Sequence, residues 1–317
     1  MESFPVYLLS RFALGLLRVL PRPAAAALLD FLATLYFHLG SRHRHIARVN
    51  LTIAFPELSD RERDRIALLS FRNIARNLLE LSRMPTLTPA TIRSLVEYDP
   101  VCGLNNYEAA RARGKGILYL TGHFSAWELL PTAHALYGYP LAFVTRPLDN
   151  TRLERHLQRL RELAGNSAIP KKNAARGILE ILKAGGAVGI LMDQNTSLQE
   201  GVFADLFGVP AATTTSLALL ALRTDAAVLP GYLTPMRNGK YTIKFLPPLE
   251  LVRSGDMSRD VVDNTARFNR VIEGIIREQP ESWLWGHKRW KNQPAGNPQD
   301  LYSLSRRELL DFVRSRR

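Results

Sequence analysis

The sequence predicts an α/β domain built on a largely parallel sheet, with a separate apolar helical segment at its N-terminus. Three observations predict it. Short apolar runs of strand length alternate with runs of helix length from residue 117 onward. No internal repeat, low-complexity tract or linker-like stretch interrupts them. Of the 317 residues, 46% are hydrophobic and 22% charged, so the chain can bury the core that a sheet needs. The expected organisation is a membrane-associating helical segment over residues 1–40 and a main domain over 41–317 that ends in a basic helix.

The N-terminal segment comes first. Residues 5–20 read PVYLLSRFALGLLRVL, and residues 24–40 read AAAALLDFLATLYFHLG. Neither is an uninterrupted apolar run of about 20 residues, the length that spans a bilayer. Arg11 and Arg18 lie seven apart and share one narrow face of a helix, and Pro21 marks a break or kink. A helix apolar almost all round, with one basic stripe, suits an anchor lying in a membrane interface. A tilted span with snorkelling arginines fits the same pattern. A secretory signal does not, because no basic region precedes the apolar stretch and a strongly basic one follows it. Arg42, His43, Arg44, His45 and Arg48 come next, and favour a cytoplasmic face with anionic headgroups.

In residues 57–84, Ser59 and Glu62 form a capping box before a helix with Ile66, Leu69, Phe71, Ile74, Leu78 and Leu81 on its apolar face. Strands are expected at 117–121, 141–145, 187–192, 226–233 and 241–246. Helices are expected at 125–137, 151–164, 173–184, 213–224 and 258–279, the last with Phe268, Ile272 and Ile275 inward. A basic helix over 301–316 closes the chain.

The stretch GILYLTGHFSAWELL, residues 116–130, carries the most chemistry. A strand ends at Thr121, Gly122 permits a tight turn, and a helix follows. Ligands of open α/β sheets bind just beyond the carboxyl ends of strands. His123 and Glu128 are the titratable residues there. With His123 in the turn, Glu128 can reach back to the imidazole, fix its tautomer and stabilise its charged form. The second ring nitrogen can then take a proton from a substrate hydroxyl, which attacks a thioester. The alternative is structural: Ser125 and Glu128 also have capping-box spacing, with His123 near a helix start.

His, four residues, then an acid, after a strand and a glycine, resembles the motif of glycerolipid and lipid A acyltransferases. Other stretches resemble the lipid A late-acyltransferase family specifically: RVNLTIAFPELSDRER (48–63), VTRPLDN (144–150), ARGILEILKAGGAVGILMDQN (175–195), GVFADLFGVPAAT (201–213) and ESWLWGHKRWK (281–291). They occur in the family's order over most of residues 40–292. The resemblance implies a glycerol-3-phosphate-acyltransferase-like fold, with a mostly parallel sheet flanked by helices. It implies acyl transfer at the cytoplasmic face of a bacterial inner membrane. The donor would be acyl-acyl carrier protein or, second, acyl-CoA, and the acceptor a hydroxyl of a lipid A precursor. His123 would be the general base, oriented by Glu128. Arg146, Arg176 and Asp193 match substrate-site positions; an arginine there would bind phosphate or the thioester oxyanion, and Asp193 would hold such an arginine. Structural salt bridges are the alternative for each.

The excess of 42 Lys and Arg over 29 Asp and Glu gives a formal charge of +13. Residues 1–48 hold six arginines against two acids, and residues 286–317 hold eight basic against three acidic side chains. Basic ends around a nearly balanced middle suit an anionic membrane surface and an acidic carrier protein more than nucleic acid, which would favour a basic stripe through the domain body. Trp283, Trp285 and Trp290, interleaved with His287, Lys288 and Arg289, read as an interface belt or as core before they read as base-stacking groups. Cys102 stands alone, which excludes an internal disulfide or a cysteine-rich zinc site. No Gly-x-Ser-x-Gly elbow, phosphate-binding Walker loop or His-Glu-x-x-His pattern occurs. Neither metal nor cofactor is expected beyond the acyl donor. Three other readings fit the same residues: an acyltransferase for another glycolipid or a lysophospholipid, of phosphatidylinositol-mannoside type; a thioesterase or lysolipid hydrolase; and a membrane-binding protein without turnover.

Overall fold

Two apolar runs, ILYLT and AVGIL, form the centre of the sheet, because strands covered on both faces need apolar side chains on both. The computed structural model describes residues 4–171, 174–236 and 238–316. In chain order it contains α1 (Phe4–Val19), α2 (Arg22–Leu39), α3 (Ser41–Ala54), α4 (Asp60–Arg83), α5 (Pro89–Leu95), β1 (Val96–Tyr98), α6 (Leu104–Ala112), β2 (Ile117–Thr121), α7 (Leu129–Leu136), β3 (Ala142–Thr145) and α8 (Thr151–Glu162). There follow β4 (Ser167–Pro170), α9 (Ala174–Lys183), β5 (Ala187–Leu191), β6 (Gly201–Leu206), β7 (Val209–Thr214), α10 (Ser216–Thr224), β8 (Ala227–Pro235), β9 (Tyr241–Phe245), α11 (Met257–Glu278) and α12 (Arg306–Arg314).

Seven strands make one sheet in the order β1-β9-β8-β2-β5-β3-β4. Neighbours run parallel except β8 and β9. Alternation along β2 sends Leu118 and Leu120 to one core, with α9, α10 and α11, and Ile117 and Tyr119 to the other, with α5, α6 and α7. The mixed α/β architecture with a mostly parallel sheet is thus as expected.

Strands β1 and β4 and the β6–β7 hairpin were not expected. The first two are only three and four residues long. The hairpin turns at Phe207 and Gly208, both with positive φ, in place of the Asn-Gly pair that would advertise it. The helix expected at 173–184 begins at Ala174, and residue 173 lies outside the described residues. The helix expected at 301–316 is only Arg306–Arg314, capped by Ser305 and Glu308, with Leu301 and Tyr302 buried ahead of it.

Two expectations need correction. The Ser59–Glu62 capping box forms, and Phe71 and Leu81 of the apolar face assigned to α4 are buried, but the buried face also takes in polar residues that were not expected there. Leu78 is exposed, while Ser70, Asn77 and Glu80 are buried. α4 lies between the N-terminal helices and the loop after α11, so its inward polar groups meet backbone: Ser70 bonds to the Trp283 carbonyl and Asn73 to that of Glu281. Secondly, Arg18 of the expected basic stripe turns toward the protein, as does Arg22 beyond the break at Pro21. Arg18 donates to the Ser82 carbonyl at 2.8 Å, and Arg22 pairs with buried Glu80. Asp30 of α2 takes a bidentate contact from Arg76. Large apolar side chains stand outward on α1 and α2, beside exposed Arg11 and His38: Phe12 is 70% exposed, Val19 77%, Phe31 62% and Leu39 74%. No single helix among the described residues is long and apolar enough to cross a membrane. α2 and α3 together meet that composition but are bent by 87°.

Candidate active site

The site lies beyond the carboxyl ends of β2 and β5, adjacent parallel strands in register from Ile117↔Ala187 to Thr121↔Leu191. That register carries the next residues of each strand, His123 and Asp193, to one place. The His123 backbone N–H donates to Asp193 Oδ2 at 2.8 Å, and its ring Nδ1 meets Asp193 Oδ1 at 2.8 Å. Trp283 Nε1 also donates to Oδ2, at 2.8 Å. Gly122 makes room for this: a Cβ there would stand 2.8 Å from Asp193 Cγ. The turn is pinned on its other side, where Phe124 bridges to Trp283 and the Ser125 N–H donates to the Ser282 carbonyl at 2.7 Å. Ser125 takes φ 51°, an uncommon conformation for a residue with a Cβ.

An ionised carboxylate only accepts, so Nδ1 carries the proton and Nε2 is bare. Gln194 Nε2, 3.3 Å from His123 Nε2, fits as the donor to it. Asp193 is almost wholly buried, and His123 keeps 19% of its side chain accessible. Burial opposes the charged form of each, yet their mutual attraction outweighs it. The histidine is held above its ordinary value and the aspartate well below the carboxylate range.

Glu128 sits elsewhere than expected. Its carboxylate takes two hydrogen bonds from Arg161 of α8, at 2.8 and 2.5 Å. Its backbone N–H donates to Asn77 of α4 at 3.2 Å. The carboxylate that grips the imidazole is therefore Asp193, and Glu128 adds only charge to the histidine's shift. The reason is local: residues 125–128 form a turn and α7 starts at Leu129, so Glu128 points toward α8. Nor does Ser125 cap α7; no side chain caps that helix. The arginine expected on Asp193 is replaced by His123 and Trp283.

A cavity of about 1130 Å³ opens at this end of the sheet, lined in part by His123, Glu128, Arg146 and Arg161. Arg146, in the loop after β3, is exposed at its rim. Arg176 is not part of it: it lies on an outer face of α9, 90% exposed, and pairs with Glu180 one turn on. Lys171 and Arg223, not singled out from sequence, do line the cavity. Trp283, Trp285 and Trp290 are core, each at most 2% exposed, so these three do not form an interface belt. Arg289 is buried among them and bonds to the Ala212 carbonyl and the Thr213 hydroxyl of β7. His287 accepts the Asn195 N–H at 3.2 Å, and burial pulls its pKa down to about 4, so it stays neutral.

The sequence matches the family of bacterial lipid A biosynthesis acyltransferases over residues 3–292. The chain belongs to that family. It is similar to the lipid A biosynthesis lauroyltransferase of Escherichia coli (strain K12), with 29% identity over 93% of this chain and 95% of the relative. The palmitoleoyltransferase of the same organism is also 29% identical, over 92% and 94%. The myristoyltransferase is 24% identical, over 84% and 82%. The protein is an acyltransferase of lipid A biosynthesis. Stretches that carried the resemblance converge on the site of this lipid A acyltransferase. Asn50, from RVNLTIAF, donates to the carbonyls of Trp285 and His287, from ESWLWGHKRWK. Asp193, from MDQN, binds Trp283 of that same segment.

Proposed function

We propose that this protein transfers a fatty acyl chain from acyl-acyl carrier protein to a hydroxyl of a lipid A precursor, with His123 as general base. The observation that carries the reading is the Asp193–His123 contact, which leaves Nε2 bare beside the cavity. Nε2 takes the hydroxyl proton as the oxygen attacks the thioester carbonyl. The tetrahedral intermediate then expels the thiolate, which recovers the proton from the imidazolium. One ester forms, one thioester breaks, and no covalent acyl-enzyme is required. Asp193 orients His123 and stabilises its charged form, as the acid of a catalytic triad does. Glu128 acts one step removed, holding Arg161 at the cavity wall beside the developing oxyanion. Arg146, Lys171 and Arg223 give the rim a positive potential suited to phosphate on the acceptor or the carrier. Arg176 has no part in this scheme.

The seat is the cytoplasmic face of a bacterial inner membrane. The apolar outer faces of α1 and α2 would sink into one leaflet, a helix pair lying in the interface rather than crossing it. The basic surface beyond it meets anionic lipid and docks the acidic carrier protein, with no role for nucleic acid. No cofactor beyond the acyl donor takes part.

Mass analysis of lipids from a host lacking its own late acyltransferase, with and without this gene, tests the reading. The expected result is a lipid A precursor heavier by one acyl group, lost with His123→Ala. Release of free fatty acid with no acylated lipid would make the protein a hydrolase instead.

A further inference from the structure

A buried cation stands behind the histidine, and the acyl-transfer step above does not use it. Arg289 lies in the segment after α11 and is 1% exposed. Its Nη1 donates to the Ala212 carbonyl at 2.7 Å and its Nη2 to the Thr213 hydroxyl at 2.6 Å, both on β7. Its Nε has no partner, and among the described residues no carboxylate pairs with it. A buried charge without a paired counter-ion is costly. Burial pulls its pKa down only to about 10, so it stays charged at any working pH, and the carboxylate whose field supports it is Asp193. The contacts run the same way. The Ala212 carbonyl that takes Nη1 also takes the Thr196 N–H at 3.3 Å, and Thr196 ends the loop that begins at Asp193. The segment that carries Arg289 grips that loop along its length. Trp283 holds Asp193, His287 accepts the Asn195 N–H, and Asn292 donates to the Thr196 carbonyl at 2.8 Å.

We propose that Arg289 is a positioning residue for the general base: its buried guanidinium braces the loop that carries Asp193 and balances the Asp193 charge, so that His123 waits as a neutral imidazole. The inference rests on the acyl-transfer reading above. Its sign follows from charge. With His123 neutral, the Asp193–His123 pair carries one negative charge, which Arg289 attracts. A proton on His123 neutralises the pair and sets a second cation in the field of the first. Asp193 therefore raises the proton affinity of the base, and Arg289 limits the rise. A general base works best when that affinity stays near the working pH. Glu128 adds to the attraction for the proton. His287 lies in the fields of His123, Asp193, Arg289 and exposed Lys291, and is itself neutral. Burial keeps the Tyr302 hydroxyl beside Arg289 neutral. Asn269 of α11, which shares the Thr213 hydroxyl with Arg289, carries no charge.

The test is the pH profile of kcat/KM for the purified full-length enzyme, together with an NMR titration of its histidine rings. The His123 signal is the one missing from His123→Ala. Arg289→Met removes the charge and keeps the apolar stem. It leaves neither acceptor bare, because Ala212 keeps the Thr196 N–H and the Thr213 hydroxyl keeps Asn269. A unit charge on the order of 10 Å away, at an effective dielectric of about 20, moves a titration by about one pH unit. The acid limb and the His123 titration should both move up by about that much, so activity on the acid side falls about 10-fold. That direction is opposite to the one expected when the Asp193 charge is removed. Arg289→Gln, which keeps a donor for Ala212, should shift both equally and serves where the methionine variant fails to fold. Arg289→Lys keeps the charge without the forked contact and should leave both titrations in place. Neutral variants that lower turnover without raising either titration overturn the inference, since Arg289 then only packs. An Arg289→Lys shift as large as that of Arg289→Met overturns it too. Absence of acylation by the unaltered enzyme removes the acyl-transfer reading instead, while the NMR titration still reads the Arg289 charge, so the two failures are distinguishable.

Discussion

The two carboxylates beside His123 sit in opposite kinds of surroundings. Asp193 is nearly inaccessible and spends its oxygens on the imidazole, the turn's N–H and an indole. Glu128 is partly accessible and is tied to a mobile class of side chain, an arginine from another helix. Closeness in sequence did not select the histidine's partner. Register between two parallel strands did, because it places their ends side by side whatever their separation along the chain.

Substitutions separate the two roles. His123→Ala should lose the most, about 10⁴-fold in kcat, since the proton acceptor is gone. Asp193→Asn should follow closely, about 10²- to 10⁴-fold, by releasing the tautomer and the imidazolium. It should also move the acid limb of kcat/KM to lower pH, because the anion that lifts the histidine is removed while burial still depresses it. In the unaltered enzyme that limb should lie above the ordinary histidine value of about 6.5. A limb that does not move in Asp193→Asn would break the assignment of Asp193 to His123. Glu128→Gln should cost less, roughly 10- to 100-fold, with the limb nearly in place and membrane binding kept. A Glu128→Gln loss equal to that of Asp193→Asn, with the same limb shift, would erase the distinction. Equal loss of turnover and of vesicle binding would make Glu128 structural.

The same pair predicts a conflict between stability and activity. His123 is raised on folding, so its contribution is full below about pH 6.5 and fades as pH rises through the folded value. Asp193 is lowered, so its contribution is present above about pH 3.9 and fades as pH falls through its low folded value. Thermal stability should therefore decline slightly over the pH range in which activity rises. A Tm that climbs along with activity would contradict the pairing. The smallest expected effect lies farthest from the site. Phe12→Ser on the outer face of α1 should weaken binding to anionic vesicles several-fold and leave turnover on a detergent-dispersed acceptor intact.

Much of the architecture was legible because period and length mark it. Five central strands and the long α11 followed from apolar runs and amphipathic spacing. Short edge strands and the hairpin at Phe207–Gly208 carried too little signal. His123 was legible from its place after a strand and a glycine, and Asp193 from the resemblance of the stretch around it to the family. What Asp193 binds was not, because sequence does not tell which strands are neighbours. Arg161 left no mark in the sequence at all: it is one of several arginines on a helix rich in them, and only the packing of α8 against α7 brings it to Glu128.

By itself, then, the sequence determined the α/β class, the strand-to-turn position of the histidine, and an N-terminus both apolar and basic. These are properties of local spacing, which survives any arrangement of distant parts. Tertiary structure decided which carboxylate serves the histidine, which arginines line the cavity, and that Arg18 and Arg22 face the protein while apolar side chains face out. The physical reason is common to all three. A charged side chain in a folded protein goes to the partner that best offsets its desolvation, and that partner is set by packing between elements far apart in the chain.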